Sequence, residues 1–432
     1  VTATDTQSKS FRAPWLIFWA GLAVRVLYIT LAHTYKIRLF QDHFQFGWEM
    51  GRIARALATG YGYSDPFVGH TGPTAWVPPL YPLLLAAVFK LFGVYSALSA
   101  GVVLTINSIF SAATALFVYE IAARCYNRRV AVWSAWLWAL YPAALQYAVH
   151  WVWEMSLTAM LFSWILVLAL RMRSIGDPSR DDDAQSMQRW LLFGALWGLV
   201  ALSNATLLLF LPICGIWILL GSRGSLGSAL LRVSLASIVF LALLAPWIWR
   251  NWVVFHAFIP IRGNLGAEMY AGSGPGSNGF AFIATLPLVE HDPETMRYKT
   301  LGEVEYVKEQ GAKANAYLAT HHLHYFQISL KRFYFYWVSV PHPVEHSAPA
   351  EFGRELSYCF LGITGLLGLA LSLKNRIPAA GLFVWAFLLL PMTYYFVTVA
   401  ARFRHPLEPL IAIFSVYLFQ SAAPRPRADK HA

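Results

Sequence analysis

Gln41-Asp42-His43-Phe44, Ala58-Thr59-Gly60-Tyr61-Gly62 and Gly72-Pro73-Thr74-Ala75-Trp76-Val77-Pro78-Pro79-Leu80-Tyr81-Pro82 follow an apolar stretch running from Pro14 to Ala32. That stretch is long enough to cross a bilayer, which takes ~20 mostly apolar residues in a helix, because hydrocarbon satisfies no bare backbone group. Acids, aromatics and stacked prolines then gather where such a helix must end. A loop of this make-up needs defined backbone shape and charge at the membrane surface, so it reads as the rim of a site.

Composition extends the membrane reading to the whole chain. Of its 432 residues 57% are hydrophobic and 13% charged, against roughly 25% charged in a soluble domain. Mean hydropathy is +0.49. The net charge of +11 does not point to nucleic acid, because the basic residues sit in short clusters between apolar segments. Cys125, Cys214 and Cys359 fall in or beside those segments without a paired spacing, as buried thiols do. The first apolar stretch lacks a small-residue cleavage site and reads as a span rather than a removable leader.

About ten spans are expected, near 14–34, 98–122, 130–149, 152–171, 190–204, 205–221, 232–250, 356–373, 378–399 and 406–421. The fold class is therefore an all-α polytopic membrane protein. Lys9 and Arg12, Arg124, Arg128 and Arg129, Arg171 to Arg189, Arg223 and Arg232, Lys374 and Arg376, and Arg425 to Lys430 fall in alternate loops. The positive-inside rule makes these cytoplasmic and puts both termini inside. Asp181-Asp182-Asp183 then lies on the cytoplasmic side, as a solvated run. Two long segments fall outside. The first, 35–97, carries an amphipathic stretch from Phe46 to Leu57 and an apolar piece, Tyr81 to Phe92, too short to span. Both are expected as interfacial helices. The second, 251–355, joins spans seven and eight and mixes a Gly/Ser-rich turn, Gly272 to Ser277, with a helical region from Pro293 to Phe335. This divides the chain into a transmembrane module (1–250) containing the first outer loop, an outer segment (251–355) and a second transmembrane module (356–432).

Few ionisable residues lie on the outer side, and each is a candidate. Asp42 is placed to act as general base on an acceptor hydroxyl, or else to be a loop acid capping the next helix. Glu49 is its rival. Glu154 begins a membrane helix after a very short outer turn, where a carboxylate is electrostatically comfortable and also a default functional residue. Arg402 and Arg404 occupy the last outer turn, where the positive-inside rule disfavours them. They suit a phosphate at the membrane surface, a lipid headgroup, or an ion pair with Glu408. His43, His70, Tyr81, His150 and His405 are possible substrate-lining residues. Arg25, inside the first span, snorkels or pairs within the membrane. His321, His322 and His324, with His342 and His346, read as surface histidines, and no metal ligand set stands out.

Taken in order, several pieces resemble the GT-C glycosyltransferases. They are Ile53-Ala54-Arg55-Ala56-Leu57-Ala58-Thr59-Gly60-Tyr61-Gly62-Tyr63, Pro73-Thr74-Ala75-Trp76 leading to Pro79-Leu80-Tyr81-Pro82-Leu83-Leu84-Leu85-Ala86, Ala139-Leu140-Tyr141-Pro142, Pro246-Trp247-Ile248-Trp249-Arg250-Asn251-Trp252 and Arg402-Phe403-Arg404-His405-Pro406. More narrowly the chain resembles bacterial members similar to dolichyl-phosphate-mannose–protein mannosyltransferases and to lipid A aminoarabinose and galacturonic acid transferases. The resemblance implies a transferase in a bacterial cytoplasmic membrane. It would move a hexose or pentose from a polyprenyl-phosphate donor to a lipid, glycan or protein acceptor at the outer face, with inversion. It also implies a catalytic acid in the first outer loop, matched by Asp42, a second acid matched by Glu154, and a donor-phosphate site matched by Arg402 and Arg404. Asp42 lies twelve residues before Ala54, a helical turn further than the family pattern, which keeps Glu49 as the other candidate. No cofactor is required, and a divalent metal is left open. Two other readings remain: a transporter or flippase for a lipid-linked or anionic substrate, against which no inverted repeat is visible, and an inactive assembly factor of the same fold.

Overall fold

The structure, a computed structural model, describes residues 3–37, 46–176, 185–221, 225–280, 285–289, 291–338 and 348–422, with the side chains of 3–12 and 348–351 left out. Asp42 and His43 lie outside the described residues, as do Asp181 to Asp183, His342 and His346. Among the described residues the chain is helical and has no strand. Among the described residues five helices carry a segment long and apolar enough to cross a membrane: Ala13–Leu31, Ala97–Cys125, Met155–Met172, Leu226–Phe255 and Phe352–Lys374. Shorter apolar helices fill several positions expected to be single spans.

The helices are α1 (Ala3–Leu31), α2 (Glu49–Thr59), α3 (Leu80–Phe92), α4 (Ala97–Cys125), α5 (Arg128–Leu140), α6 (Pro142–Val149) and α7 (Met155–Met172). Then come α8 (Met187–Ala201), α9 (Leu211–Leu220), α10 (Leu226–Phe255), α11 (Leu265–Ser273), α12 (Pro293–Leu301), α13 (Glu303–Thr320) and α14 (His322–Trp337). The last four are α15 (Ala348–Lys374), α16 (Ala380–Leu389), α17 (Met392–Phe396) and α18 (Glu408–Ala422). Local chemistry starts several of them. Ser96 accepts from the Ser99 amide at 3.0 Å, and Asn127 from the Val130 amide at 2.9 Å, each satisfying an orphan donor at a helix start.

The single span expected over 130–149 is two helices. Pro142 has no amide to continue α5 and holds Tyr141 in extended conformation (φ −64°, ψ 124°). The Ala139 carbonyl near that break accepts from Arg25 Nη1 at 2.9 Å, while Arg25 Nη2 donates to Ser111 Oγ at 3.0 Å. Arg25 therefore does not snorkel. It is buried and serves a broken helix inside the membrane. The stretch 205–221 likewise divides, into a 3-10 turn over Ala205–Phe210, begun by Asn204, and α9.

The basic loops collect at one end of the bundle. Arg124 Nε and Arg171 Nη2 both meet Glu120, at 2.9 and 2.6 Å. Tyr126 bonds Ser372 at 2.8 Å, close to the loop of Lys374 and Arg376. At the C-terminal side α15 packs tightly on α18 through Gly365 and Gly368. A Cβ on Gly365 would come within 2.7 Å of Ile411, and one on Gly368 would strike the Phe414 carbonyl. Small residues at such crossings let membrane helices approach closely. Gly368→Val is expected to cost about 1–3 kcal/mol by overpacking, seen as a lower thermal midpoint in detergent with the same oligomeric profile.

Candidate active site

The first outer loop is clamped onto the second outer segment. Arg250, at the end of α10, donates to the carbonyls of Thr74 (2.7 Å) and Tyr63 (2.6 Å). The Gly263 amide bonds the Ala75 carbonyl at 3.0 Å. Glu303, at the start of α13, is buried and accepts from Thr74 Oγ1, from the Ala75 amide at 2.6 Å and from the Tyr298 hydroxyl at 2.8 Å. Burial pushes its carboxyl above the ordinary value, opposed by those three bonds. None of this stood out in the sequence, where Glu303 is one of several acids in a polar helix. Glu303→Ala would orphan three buried donors, and about 3 kcal/mol of stability should go with it, measured as a fall in thermal midpoint that Glu303→Gln partly restores.

With the loops fixed, four distant stretches converge. Gly47, at φ +86°, turns the chain into α2 against the Val152 carbonyl and Trp153. Only a residue without a Cβ fits there, and the turn sets Glu49 beside the segment that holds Glu154. Asn107 of α4 fixes that segment from below by donating to the Trp151 carbonyl at 3.2 Å. Glu154 occupies the position just before α7 without its side chain capping the helix, and it is buried. The Arg402 guanidinium lies over the Trp153 ring at 4.3 Å, and Trp153 stacks on Trp151 at 4.8 Å. Arg262, from the loop after α10, completes the group. It bonds Asn264 Oδ1 at 2.6 Å and reaches Glu268 Oε1 at 3.4 Å.

Electrostatic coupling ties the members together. Burial raises the Glu154 carboxyl to about 7. Arg402 and Arg262 pull it down, and Glu49 pushes it up. Glu49 is itself raised by burial. Arg52 and Arg402 lower it, and Glu268 raises it. Glu154 is nearly enclosed, whereas Glu49, Arg402 and Arg262 keep solvent access. Tyr394 stacks on Phe403 at 4.4 Å and bonds Thr206 at 2.8 Å, and it senses both Glu154 and Arg262. The arrangement is a coupled group of carboxylates and guanidiniums, Glu49 and Glu154 within electrostatic reach of Arg402, with Arg262 paired to Glu268 beside them, partly open and at the end of the bundle opposite the basic loops. Such a set can take a proton from a hydroxyl and hold a phosphate.

The remaining candidates lie elsewhere. Arg404 is fully buried. It donates to the carbonyls of Trp337 (3.2 Å) and Tyr358 (3.1 Å) and pairs with Glu408 at 3.4 Å. His405, also buried, bonds Glu408 at 2.8 Å. Of the readings open for this turn, the ion pair with Glu408 holds for Arg404. Tyr81 is buried and exchanges a hydrogen bond with Asn107. His70 sits exposed on Asp65 at 2.9 Å, and His150 bonds Tyr28 of α1 at 3.2 Å. His321 is exposed and stacks on Tyr317 at 4.0 Å. Among the described residues no three His, Cys, Asp or Glu side chains are grouped to hold a metal ion. Sequence reading missed Arg262 and Glu268. Arg262 carried the same signal that singled out Arg402, an arginine on the side where the positive-inside rule disfavours it.

Residues 76–249 match the family described as dolichyl-phosphate-mannose-protein mannosyltransferase. No curated protein matches the chain in sequence. The apo oligosaccharyltransferase of Archaeoglobus fulgidus is similar in structure, with TM-score 0.53 and 16% identity over 94% of this chain and 50% of that one. The Archaeoglobus fulgidus oligosaccharyltransferase AglB, in complex with an inhibitory peptide and a dolichol-phosphate, gives TM-score 0.52 and 16% identity over 94% and 50%. ArnT from Cupriavidus metallidurans bound to undecaprenyl phosphate gives TM-score 0.39 and 13% identity over 97% and 78%. The chain thus spans about half the length of the archaeal enzymes it matches. The chain therefore shares the fold of the archaeal oligosaccharyltransferase, and its segment 76–249 matches the dolichyl-phosphate-mannose-protein mannosyltransferase family.

Proposed function

We propose that this protein is a membrane glycosyltransferase that moves a sugar from a polyprenyl-phosphate donor to an acceptor hydroxyl at the outer membrane surface. The observation that carries the reading is the convergence of Glu49, Glu154, Arg262 and Arg402 in one partly open cluster at the end of the membrane helices. The family match and the dolichol-phosphate in the archaeal complex support a lipid-linked donor. In this reading the acceptor oxygen attacks the anomeric carbon and the bond from that carbon to the phosphate oxygen breaks. The acceptor's proton passes to Glu154, and the departing lipid phosphate gains a negative charge that Arg402 and Arg262 meet. Glu49 keeps the proton affinity of Glu154 high enough to accept. Asp42 retains its place as the family's first-loop acid, and its replacement belongs in the same experiment. Arg404 and His405 hold the last outer turn rather than the substrate.

Purified protein is given a radiolabelled polyprenyl-phosphate sugar pool with a membrane extract as acceptor, and polyprenyl phosphate release is followed. Turnover by wild type that disappears in Glu154→Gln, with donor still bound, is the expected result. Donor bound without any release by wild type would move the assignment to a transporter or to an inactive assembly factor.

A further inference from the structure

α14 belongs to the segment expected outside the membrane, yet it meets α15 and α16 deep along their length. A Cβ on Gly362 of α15 would strike the Trp337 carbonyl, and the Trp337 ring stacks on Phe387 of α16 at 5.6 Å. Gly362 lies twelve residues before Lys374, where α15 reaches the basic loops. At 1.5 Å per residue Trp337 therefore stands no more than roughly 18 Å from that end. Phe387 lies seven residues after Ala380, the start of α16, and sets a deeper level still, roughly 11 Å from the same end. A hydrocarbon core is ~30 Å thick, so α14 ends well within one. Its last turn is built for such a place. The final carbonyls of a helix have no amide of their own helix to bond, and hydrocarbon supplies none. Here the Tyr336 carbonyl accepts from the Tyr358 hydroxyl at 2.7 Å, and the Trp337 carbonyl from Arg404 at 3.2 Å.

We propose that α14 is inserted, C-terminal end first, into the leaflet away from the basic loops, and that the acyl chains of that leaflet cover its exposed face. Leu323, Phe326, Leu330 and Phe333 are each exposed and recur at i, i+3, i+7 and i+10, which sets them in one row along the helix. Phe333 is at most roughly 6 Å from the level of Trp337, and Leu330 about 11 Å. Phe333 thus stays inside the core whatever the tilt of α14, and Leu330 rises no further than its edge. The opposite face turns inward, where buried Arg332 donates to the Gly279 carbonyl and to Ser273 Oγ, each at 3.0 Å. Lys331 is exposed, and its long stem lets the ammonium rise to the headgroups. No acid occurs between His322 and Trp337. α15, packed beside α14, carries an exposed row of the same kind, Phe352, Phe360 and Leu367 among it, on a helix long and apolar enough to span. The two rows form one surface for hydrocarbon. Through Arg332 the inserted helix also holds the Gly/Ser-rich turn after α11, which fastens the outer segment to the bilayer. The proposal is independent of the catalytic reading.

Leu330→Cys and Phe333→Cys, each in the full chain carrying Cys359→Ser, are labelled with an environment-sensitive fluorophore and placed in phosphatidylcholine nanodiscs. The parent without the added cysteine gives the blank for Cys125 and Cys214, which are buried. With phosphatidylcholine brominated along its acyl chains, the Phe333 label should lose most of its emission and the Leu330 label a smaller share. Aqueous iodide should leave the Phe333 label bright. Lys308→Cys, exposed on α13, gives the water reference and should show the reverse. Tyr334→Cys, exposed at nearly the same level, serves where Phe333→Cys does not fold. A label at Phe333 or Tyr334 quenched by iodide and not by bromolipid would put α14 in water and overturn the proposal. A label that neither quencher reaches would also overturn it, because protein, a second copy included, would then cover the face.

Discussion

Glu154→Gln is expected to lower turnover by about 10²–10⁴-fold, the usual loss of a positioned general base, while donor binding changes little. The amide keeps the size of the carboxyl and cannot take a proton. Only the ionised form serves as base, and burial has raised its ordinary value to about 7, so the wild-type rate should climb with pH through that region. The neighbours set where the climb falls. Glu49 disfavours the ionised form, so Glu49→Gln should move the acidic limb to lower pH. Arg402 favours it, so Arg402→Gln should move the limb to higher pH. Opposite displacements by two substitutions of one cluster are hard to obtain from general damage to the fold. A limb that stays in place in both variants would remove Glu154 from the role and leave Asp42 as the acid to test.

The second large effect is expected at Arg402. Arg402→Gln should reduce turnover of the lipid-phosphate donor by about 10²–10³-fold, the scale for removing one preorganised group facing transition-state charge. Arg402→Lys should recover only part of this, since an ammonium neither stacks on the Trp153 face nor offers a planar fork to a phosphate. The comparison with Arg404 sharpens the test. Arg404 is enclosed with Glu408 and two carbonyls, and truncating one partner of a buried pair costs about 3–5 kcal/mol. Arg404→Gln should therefore lower yield and thermal midpoint. Arg402→Gln should leave both near wild type and fail in the assay. If instead both variants fold poorly, the cation at Arg402 belongs to the scaffold and the phosphate reading rests on Arg262.

Much of the architecture was already legible in the order of residues. Long apolar runs must become helices in a bilayer, because nothing there bonds an open backbone. Sparse charge and basic alternate loops follow from the same cost, and Glu154 and Arg402 stood out because each breaks the pattern that cost imposes. The amphipathic stretch from Phe46 to Leu57 and the short apolar piece from Tyr81 to Phe92 became α2 and α3, since periodicity and length are local properties. Helix breaks were harder to read. Pro142 signals one, but whether a membrane helix survives a proline depends on whether a neighbour serves the freed carbonyl, and Arg25 comes from a different helix to do so.

Composition and hydropathy by themselves determined that this is a helical membrane protein with few charges inside its apolar segments. The reason is that hydrocarbon penalises charge and open backbone wherever they occur in the chain. Which charges meet was decided by tertiary structure alone. Arg402 and Arg404 are two residues apart and look equivalent in sequence, yet one stacks on Trp153 beside Glu154 and the other is sealed against Glu408. The 3-10 turn over Ala401–Leu407 points them in different directions. Glu49, Glu154, Arg262 and Arg402 come from four separate stretches, joined by contacts far apart in sequence such as Gly47 on Val152, Asn107 on Trp151 and the Gly263 amide on the Ala75 carbonyl. Long-range packing of that kind leaves no local period in a sequence to read.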